Sequence, residues 1–188
     1  MHRNRIVVIV LAVLVLVAAA YLWVRSGRST ELVIDLVDTF PEAEKRTKAP
    51  TLEMTFALED VTIAGQRKQC IYATPEARII WSVTIPEHAK LETAFGMRED
   101  SWDKPDANGA QFRIGISDGR TYDELLRQIV NPSANQADRR WQTVSLDLSA
   151  YAGRRVQVIF NTDPGPPGDG NTAYDFSVWG EPRIVGQR

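Results

Sequence analysis

Short segments with strand-like alternation are the feature that most limits the folds open to this chain of 188 residues. In one segment after another every second residue is apolar, and Gly and Pro separate the segments. A period of two places successive side chains on opposite faces of a strand, so that one face is buried and the other is solvated. Many short strands of this kind predict an all-β fold, and specifically a β-sandwich. The alternating positions are Leu52, Met54, Phe56, Leu58, Val61 and Ile63; Ile79, Trp81, Val83 and Ile85; Leu91, Thr93, Phe95 and Met97; Phe112, Ile114 and Ile116; Val144, Leu146 and Leu148; Val156, Val158 and Phe160; and Tyr174, Phe176 and Val178.

Two segments are compatible with more than one structure. Residues 32–40 fit either a strand or a short helix. Residues 121–124 resemble a helix capping box, but they also follow an Asp118-Gly119 turn, as the second arm of a β-hairpin does. We favour a strand for residues 121–129, because the predicted strand at residues 112–117 needs a partner.

An apolar run at residues 6–24 contains no charged residue. A run of this length spans a bilayer as a helix, and Tyr21 and Trp23 stand where aromatic rings favour the membrane interface. We therefore predict a signal anchor at residues 6–24, with a cytoplasmic tail at 1–5, a linker at 25–30 and a β-sandwich at 31–188. The alternative is a signal peptide that is cleaved after residues 18–20. The anchor places the domain in the periplasm or at the cell exterior, as a single-pass membrane protein.

Composition excludes several classes of function. Residues 1–24 hold two basic and no acidic residues, which leaves 20 basic against 24 acidic residues in the rest, a net charge of −4. A mildly acidic domain is unsuited to nucleic acid, so no nucleic-acid partner is expected. The only cysteine is Cys70, which excludes an intramolecular disulfide, and the two histidines exclude most histidine-based zinc sites.

The order of the segments resembles the galactose-binding-like jelly-roll domains of bacterial envelope proteins. The resemblance rests on Ala77-Arg-Ile-Ile-Trp81 before Ile85-Pro86, on residues 112–119, on Trp141-Gln-Thr-Val144 through Gly153, and on Asp175-Phe-Ser-Val-Trp179. It covers residues 50–185 and is clearest at residues 141–153. It implies a jelly-roll β-sandwich that often binds sugars, frequently with a structural calcium ion. Many members of the family have no known ligand, so the resemblance bears on fold more than on function.

The polar loop at residues 98–109 is the candidate ligand site. Sugar sites combine an aromatic face with carboxylates and amides that bond hydroxyl groups, and Trp102, Asp103, Asp106 and Asn108 supply these groups. The alternative is a solvated loop in which Trp102 folds back onto the sandwich. Asp163, Asp169, Asn171 and Asp175 offer oxygen ligands for calcium, although they also suit Gly- and Pro-rich turns, and we expect no cofactor or metal.

Catalysis is not expected. The carboxylate pairs that the sequence offers, Glu99 with Asp103 and Asp163 with Asp175, have no spacing that fixes their separation. A serine triad would depend on His88, and Cys70 reads as a small buried apolar residue. The sequence therefore predicts a membrane-anchored, extracytoplasmic, non-catalytic binding domain for glycan or polysaccharide. The alternative is a protein–protein scaffold or accessory subunit of an envelope polysaccharide assembly complex.

Overall fold

The computed structural model describes residues 31–168 and 170–187, and these form an all-β sandwich of two antiparallel sheets. The strands are β1 (Glu31–Asp35), β2 (Glu44–Thr47), β3 (Phe56–Ile63), β4 (Gln66–Ala73), β5 (Ala77–Thr84), β6 (Glu87–Met97), β7 (Ala110–Ser117), β8 (Tyr122–Val130), β9 (Gln142–Asp147), β10 (Arg155–Pro164) and β11 (Ser177–Gln187). Short 3₁₀ turns cover Phe40–Glu42, Leu52–Met54, Glu99–Ser101, Gln136–Asp138 and Ser149–Tyr151. The sequence prediction of an all-β sandwich is confirmed.

The two sheets have the strand orders of a jelly roll. The six-stranded sheet runs β3-β4-β11-β6-β9, with β1 paired to the far half of β11, and the five-stranded sheet runs β2-β5-β10-β7-β8. Neighbours in each sheet are mostly distant in sequence, so each sheet collects strands from both halves of the chain. The helix alternative for residues 121–129 is wrong, because this segment is β8 and pairs with β7 across the Asp118-Gly119 turn.

The core between the sheets centres on Trp179, whose ring lies 4.6 Å from that of Phe160, 5.0 Å from Phe112 and 5.5 Å from Phe95. The buried indole donates its N–H to the Thr162 hydroxyl at 3.1 Å. Aromatic rings from both sheets therefore meet at one point, and burial of their large apolar surfaces holds the two sheets together.

A second, smaller cluster lies on the outer face of the six-stranded sheet. The β3–β4 hairpin at the edge of this sheet contributes Ile63 and Cys70, which pack with Ala94, Trp141 and Val178. The Trp141 indole donates to the Gln66 carbonyl at 2.9 Å and so fixes the tip of the hairpin. Cys70 is fully buried in this cluster, as the sequence predicts.

Three predicted strand segments have different boundaries. Leu52 and Met54 were expected in a strand, but they lie in a 3₁₀ turn and are exposed, because the chain turns after Pro50 and β3 begins only at Phe56. Residues 174–176 precede β11 rather than belong to it. Residues 32–40 contain both a strand, β1, and the start of a 3₁₀ turn.

The predicted membrane segment at residues 6–24 lies outside the described residues, as do the predicted tail at 1–5 and the linker at 25–30. Within the part of the chain that is described, no helix is long and apolar enough to cross a membrane.

Candidate functional site

Three connections meet at one end of the sandwich, which we call the loop end. They are residues 98–109 between β6 and β7, residues 131–141 between β8 and β9, and residues 165–176 between β10 and β11. Contacts between the connections hold this end together: the Arg98 amide donates to the Phe176 carbonyl at 2.9 Å, and Arg139 bonds Asp103. The loop end is where the sequence places the candidate ligand residues.

Trp102 folds back onto the sandwich, as the alternative interpretation of this loop anticipates. Its indole donates to the Met97 carbonyl at 2.9 Å, and the half-buried ring packs against both hydrophobic clusters. The guanidinium of Arg139 lies over the ring, 5.5 Å from its centroid. The ring is therefore partly a packing element, and it shares its exposed surface with a cation.

Asp103 lies beside Trp102 at the same guanidinium. Its carboxylate accepts a bond from Nη2 of Arg139 at 2.6 Å and remains 81% exposed. Nε of Arg139 donates to the Pro132 carbonyl at 2.9 Å, which fixes the arginine over the loop. Trp102 and Asp103 thus form one unit with Arg139, an arrangement that brings a carboxylate and a fixed cation to the surface.

Asp106 and Asn108 lie on the other side of the loop end, against residues 165–176. Nδ2 of Asn171 donates to the Asp106 carbonyl at 2.9 Å. A Cβ at Gly165 would stand 2.8 Å from the Asn108 carbonyl oxygen, which shows how closely the two connections approach. The structure therefore separates the four predicted residues into two pairs, which share one end of the sandwich but not one set of contacts.

Gly109 allows a second close approach, in which residues 98–109 lie against the end of β8. Its φ of +84° lies in the left-handed region, and a Cβ there would stand 2.3 Å from the Val130 carbonyl oxygen. A side chain would meet main-chain atoms that cannot move aside, so only glycine fits.

Tyr174 is an exposed aromatic residue at the loop end that the sequence interpretation assigned to a strand. It has a φ of +59°, is 38% exposed and meets the Phe176 ring edge-on at 6.1 Å. The Lys104 ammonium lies 5.7 Å from its ring centroid. The sequence signal that Tyr174 lies in a loop was its position directly after a Gly- and Pro-rich stretch, because such a position is more often a loop than a strand. Tyr174 thus adds a partly exposed ring to the loop end, beside Lys104.

Arg98 is a cation near the loop end that several contacts hold in place. Its guanidinium lies 5.8 Å from the Tyr72 ring centroid and 5.7 Å from that of Phe176, and it bonds Asp100 at 2.9 Å. Partial burial works against the charged form, but the hydrogen bond to Asp100 and the charges of Glu59 and Asp100 outweigh it and raise the pKa of Arg98. Arg98 therefore stays charged and holds the start of the loop in place.

The residues considered for calcium do not form one cluster. Asp163 lies on β10 and bonds Arg113 at 2.7 Å, whereas the Asn171 side chain is engaged by Asp106 and Ala173. Asp169 lies outside the described residues. Among the residues that are described, no group of three or more His, Cys, Asp and Glu side chains is arranged to hold a metal ion.

The carboxylate pairs considered for catalysis have separate partners. Glu99 accepts a bond from the Ala64 amide at 2.8 Å, whereas Asp103 bonds Arg139. Glu99 and Asp103 are therefore engaged in separate contacts within the fold. His88 is the second residue of β6 and has a φ of +50°. It therefore lies at the opposite end of that strand from Met97 and the loop end.

A concavity of about 370 Å³ lies away from the loop end on the outer face of the six-stranded sheet. Its charged walls are already paired, Lys68 with Glu181 at 2.7 Å and Arg183 with Glu92 at 2.9 Å. Because these charges neutralise one another, volume alone does not make this concavity a better candidate than the loop end.

Comparison with known proteins gives one relative in sequence and several in structure. No family model matches the chain. An uncharacterized protein of Archaeoglobus fulgidus is 37% identical over 102 residues, which are 54% of this chain and 25% of that protein. The chain thus spans about a quarter of the length of the curated relative that it matches.

The similar solved structures contain carbohydrate-binding modules. The CBM51 module from a Clostridium perfringens GH95 protein, solved in complex with methyl-galactose, has a TM-score of 0.53 and 13% identity over 81% of this chain and 99% of that chain. The M60 catalytic domain of Clostridium perfringens ZmpB with its two CBM51 domains has a TM-score of 0.58 and 12% identity over 83% of this chain and 15% of that chain. At these identities the likeness shows the fold alone, and the jelly-roll β-sandwich expected from the sequence is confirmed.

Proposed function

We propose that this chain is a non-catalytic carbohydrate-binding domain, tethered to a membrane through residues 6–24 and facing the periplasm or cell exterior. The observation that carries the proposal is the match to nearly the whole length of a module that was solved with methyl-galactose. A match over 99% of that module means that the described domain is comparable in extent to a complete sugar-binding unit. Fold alone does not determine function, so the binding groups must come from this chain's own residues.

The loop end supplies the chemistry that a sugar requires. The Tyr174 ring offers an exposed apolar face, and Asp103 offers a carboxylate that is largely open to solvent. Asp106 and Asn108 lie against residues 165–176, and the partly exposed Trp102 ring lies beside Arg139. We propose that these residues contact the ligand, with rings against the C–H surfaces of the sugar and polar groups on its hydroxyls.

Substitution of Tyr174 tests this site. Tyr174→Asn removes the ring but keeps a residue type that tolerates a positive φ, so the loop conformation is retained. We expect the full-length chain with this change to bind its glycan at least about tenfold more weakly in calorimetry, because stacking on a sugar is lost. The matched control is Leu52→Asn, which removes an apolar side chain of similar exposure, 42%, from a different connection. Equal affinity of Tyr174→Asn and the parent chain would contradict the proposed site.

The membrane tether is a separate part of the proposal and has its own test. The uncharged run at residues 6–24 and its flanking arginines support it. Expressed full-length chain should stay with membranes after alkaline carbonate extraction, and protease added from outside the inner membrane should degrade the domain. Release into the carbonate supernatant, or protection from the protease, would contradict the tether or its orientation.

A further inference from the structure

The outer face of the five-stranded sheet carries a row of arginines. Strand register aligns Arg46 with Arg78, Arg78 with Asn161, Asn161 with Arg113, and Arg113 with Arg127. These positions belong to β2, β5, β10, β7 and β8 in turn, so the row crosses the whole sheet. Like charges on adjacent strands repel one another, and such a row needs counter-charges from elsewhere.

Three of the four arginines have carboxylate partners within the face. The pairs are Arg46 with Glu44 at 2.6 Å, Arg113 with Asp163 at 2.7 Å and with Glu124 at 3.7 Å, and Arg127 with Glu124 at 2.8 Å. Three carboxylates thus face four guanidinium groups. The row as a whole carries one unbalanced positive charge.

The unbalanced charge belongs to Arg78. Its Nε donates to Oδ1 of Asn161 at 2.7 Å, and among the described residues no carboxylate forms an ion pair with it. The side chain is exposed, so its guanidinium can adjust to a ligand. A guanidinium with free donors is suited to a planar carboxylate, which it binds through two parallel hydrogen bonds.

Asn161 is the buried anchor of Arg78, whose Nε donates to its Oδ1. Its side chain is 2% exposed, and its Nδ2 has no hydrogen-bond partner among the residues that are described. Because this Nδ2 is shielded from solvent, the donors that a ligand meets at this place are those of Arg78. Arg78 and Asn161 line a groove of about 310 Å³ together with Arg46 and Asp163, a volume at the lower end of the range for small-ligand sites.

Tyr122 adds an aromatic surface on the same face. A Cβ at Gly115 would stand 2.3–2.5 Å from atoms of the Tyr122 phenol, so the ring lies flat across β7 in the space that glycine leaves. The ring is 43% exposed. Partial burial raises the pKa of its hydroxyl, while the nearby charges of Arg113 and Arg78 act against that rise. Arg78 and Gly115 are two strands apart, about 10 Å across the sheet, and Gly115 also lies two residues further along β7 than Arg113, so a ligand that reaches both must be longer than one sugar residue.

We propose that the outer face of the five-stranded sheet is a second binding site, for a carboxylated sugar of the uronic acid type within an oligosaccharide. The carboxylate bonds the exposed guanidinium of Arg78, and a sugar further along the same oligosaccharide lies on the ring of Tyr122. The single unbalanced charge of the row matches the single charge of a uronate. This site goes beyond the proposed function, because it lies on a different surface from the loop end and takes a ligand with different chemistry.

The test compares short oligogalacturonates with the same oligosaccharides after methyl esterification, both titrated into the full-length chain by calorimetry. We expect the acids to bind at least about tenfold more tightly than the esters, because a hydrogen-bonded charge contributes more than a neutral acceptor. We also expect the affinity for the acids to fall as salt concentration rises. Equal binding of acids and esters would overturn the proposal, as would no binding of either.

Variants then locate the site. Arg78→Gln should weaken binding of the acids about tenfold or more, while Arg183→Gln, which changes an exposed arginine on the other sheet, should change it less than about twofold. Tyr174→Asn should leave acid binding unchanged, which separates this site from the loop end. If the parent chain bound the acids but no neutral glycan, the loop-end site of the proposed function would be contradicted and this site would stand. An Arg78→Gln chain that binds the acids as tightly as the parent would overturn the assignment.

Discussion

Replacement of Trp102 by alanine measures how far this ring is a packing element. Full truncation of a buried tryptophan removes about 3–5 kcal/mol of stability, and a half-buried ring loses roughly half of that. The indole of Trp102 also donates to the Met97 carbonyl at 2.9 Å, and loss of such a bond removes about 1 kcal/mol. We therefore expect Trp102→Ala to lower the free energy of unfolding by about 3 kcal/mol, which is about 6–12 °C in Tm for a domain of this size.

Chemical denaturation followed by circular dichroism is the assay for Trp102→Ala. Trp102→Phe is the graded control: it keeps an aromatic ring but loses the indole bond, so a loss of about 1–1.5 kcal/mol is expected. Asp103→Asn, which alters an exposed ion pair beside the ring, should change stability by less than about 0.5 kcal/mol. A decrease in the free energy of unfolding below about 0.5 kcal/mol for Trp102→Ala would refute the reasoning, because so small a change is typical of a surface side chain.

Three further predictions each concern the surroundings of a single residue. Thr162→Val leaves the buried Trp179 indole without its acceptor, so scanning calorimetry should show a free energy of unfolding lower by about 1–3 kcal/mol. The control is Thr143→Val at an exposed strand position, which should change the free energy of unfolding by less than about 0.5 kcal/mol. Burial raises the pKa of the Cys70 thiol to about 12, so maleimide should label the native chain at pH 8 far more slowly than the urea-unfolded chain; equal rates would contradict this. Hydrogen bonds within its turn lower the pKa of Asp118 to about 2. The Asp118 carboxylate should therefore stabilise the fold above its ordinary pKa near 4, and this contribution should vanish as the pH falls towards 2. Asp118→Asn should lower stability at pH 7 but not at pH 2, and an equal loss at pH 7 and pH 2 would contradict this.

Local patterns sufficed for much of the fold. The alternation at residues 79–85 corresponds to β5, and the Asp118-Gly119 turn correctly indicated a hairpin because Gly119 has a φ of +89° and Asp118 caps the turn. Alternation was misleading at Leu52 and Met54, since the same pattern fits a turn whose side chains face solvent. Periodicity states which residues could share a face, but not whether another element covers that face.

The sites depended on contacts that no local pattern contains. Whether Trp102 faces solvent or the core depends on Met97 and on Arg139, which is far along the chain. Arg46 and Arg78 are 32 residues apart in sequence and become neighbours only through strand register. The sequence therefore identified the loop end as polar and aromatic, but the arginine row required the topology of the sheet.

The most direct test of carbohydrate binding is a glycan-array screen of the full-length chain, run once with calcium and once with a chelator. The account predicts saturable binding to at least one glycan, and Tyr174→Asn should reduce it. Binding that disappears with chelator would show that a calcium ion takes part. If chain that circular dichroism shows to be folded binds no glycan under either condition, the proposed function is contradicted, and a protein-docking role for the jelly roll becomes the better explanation.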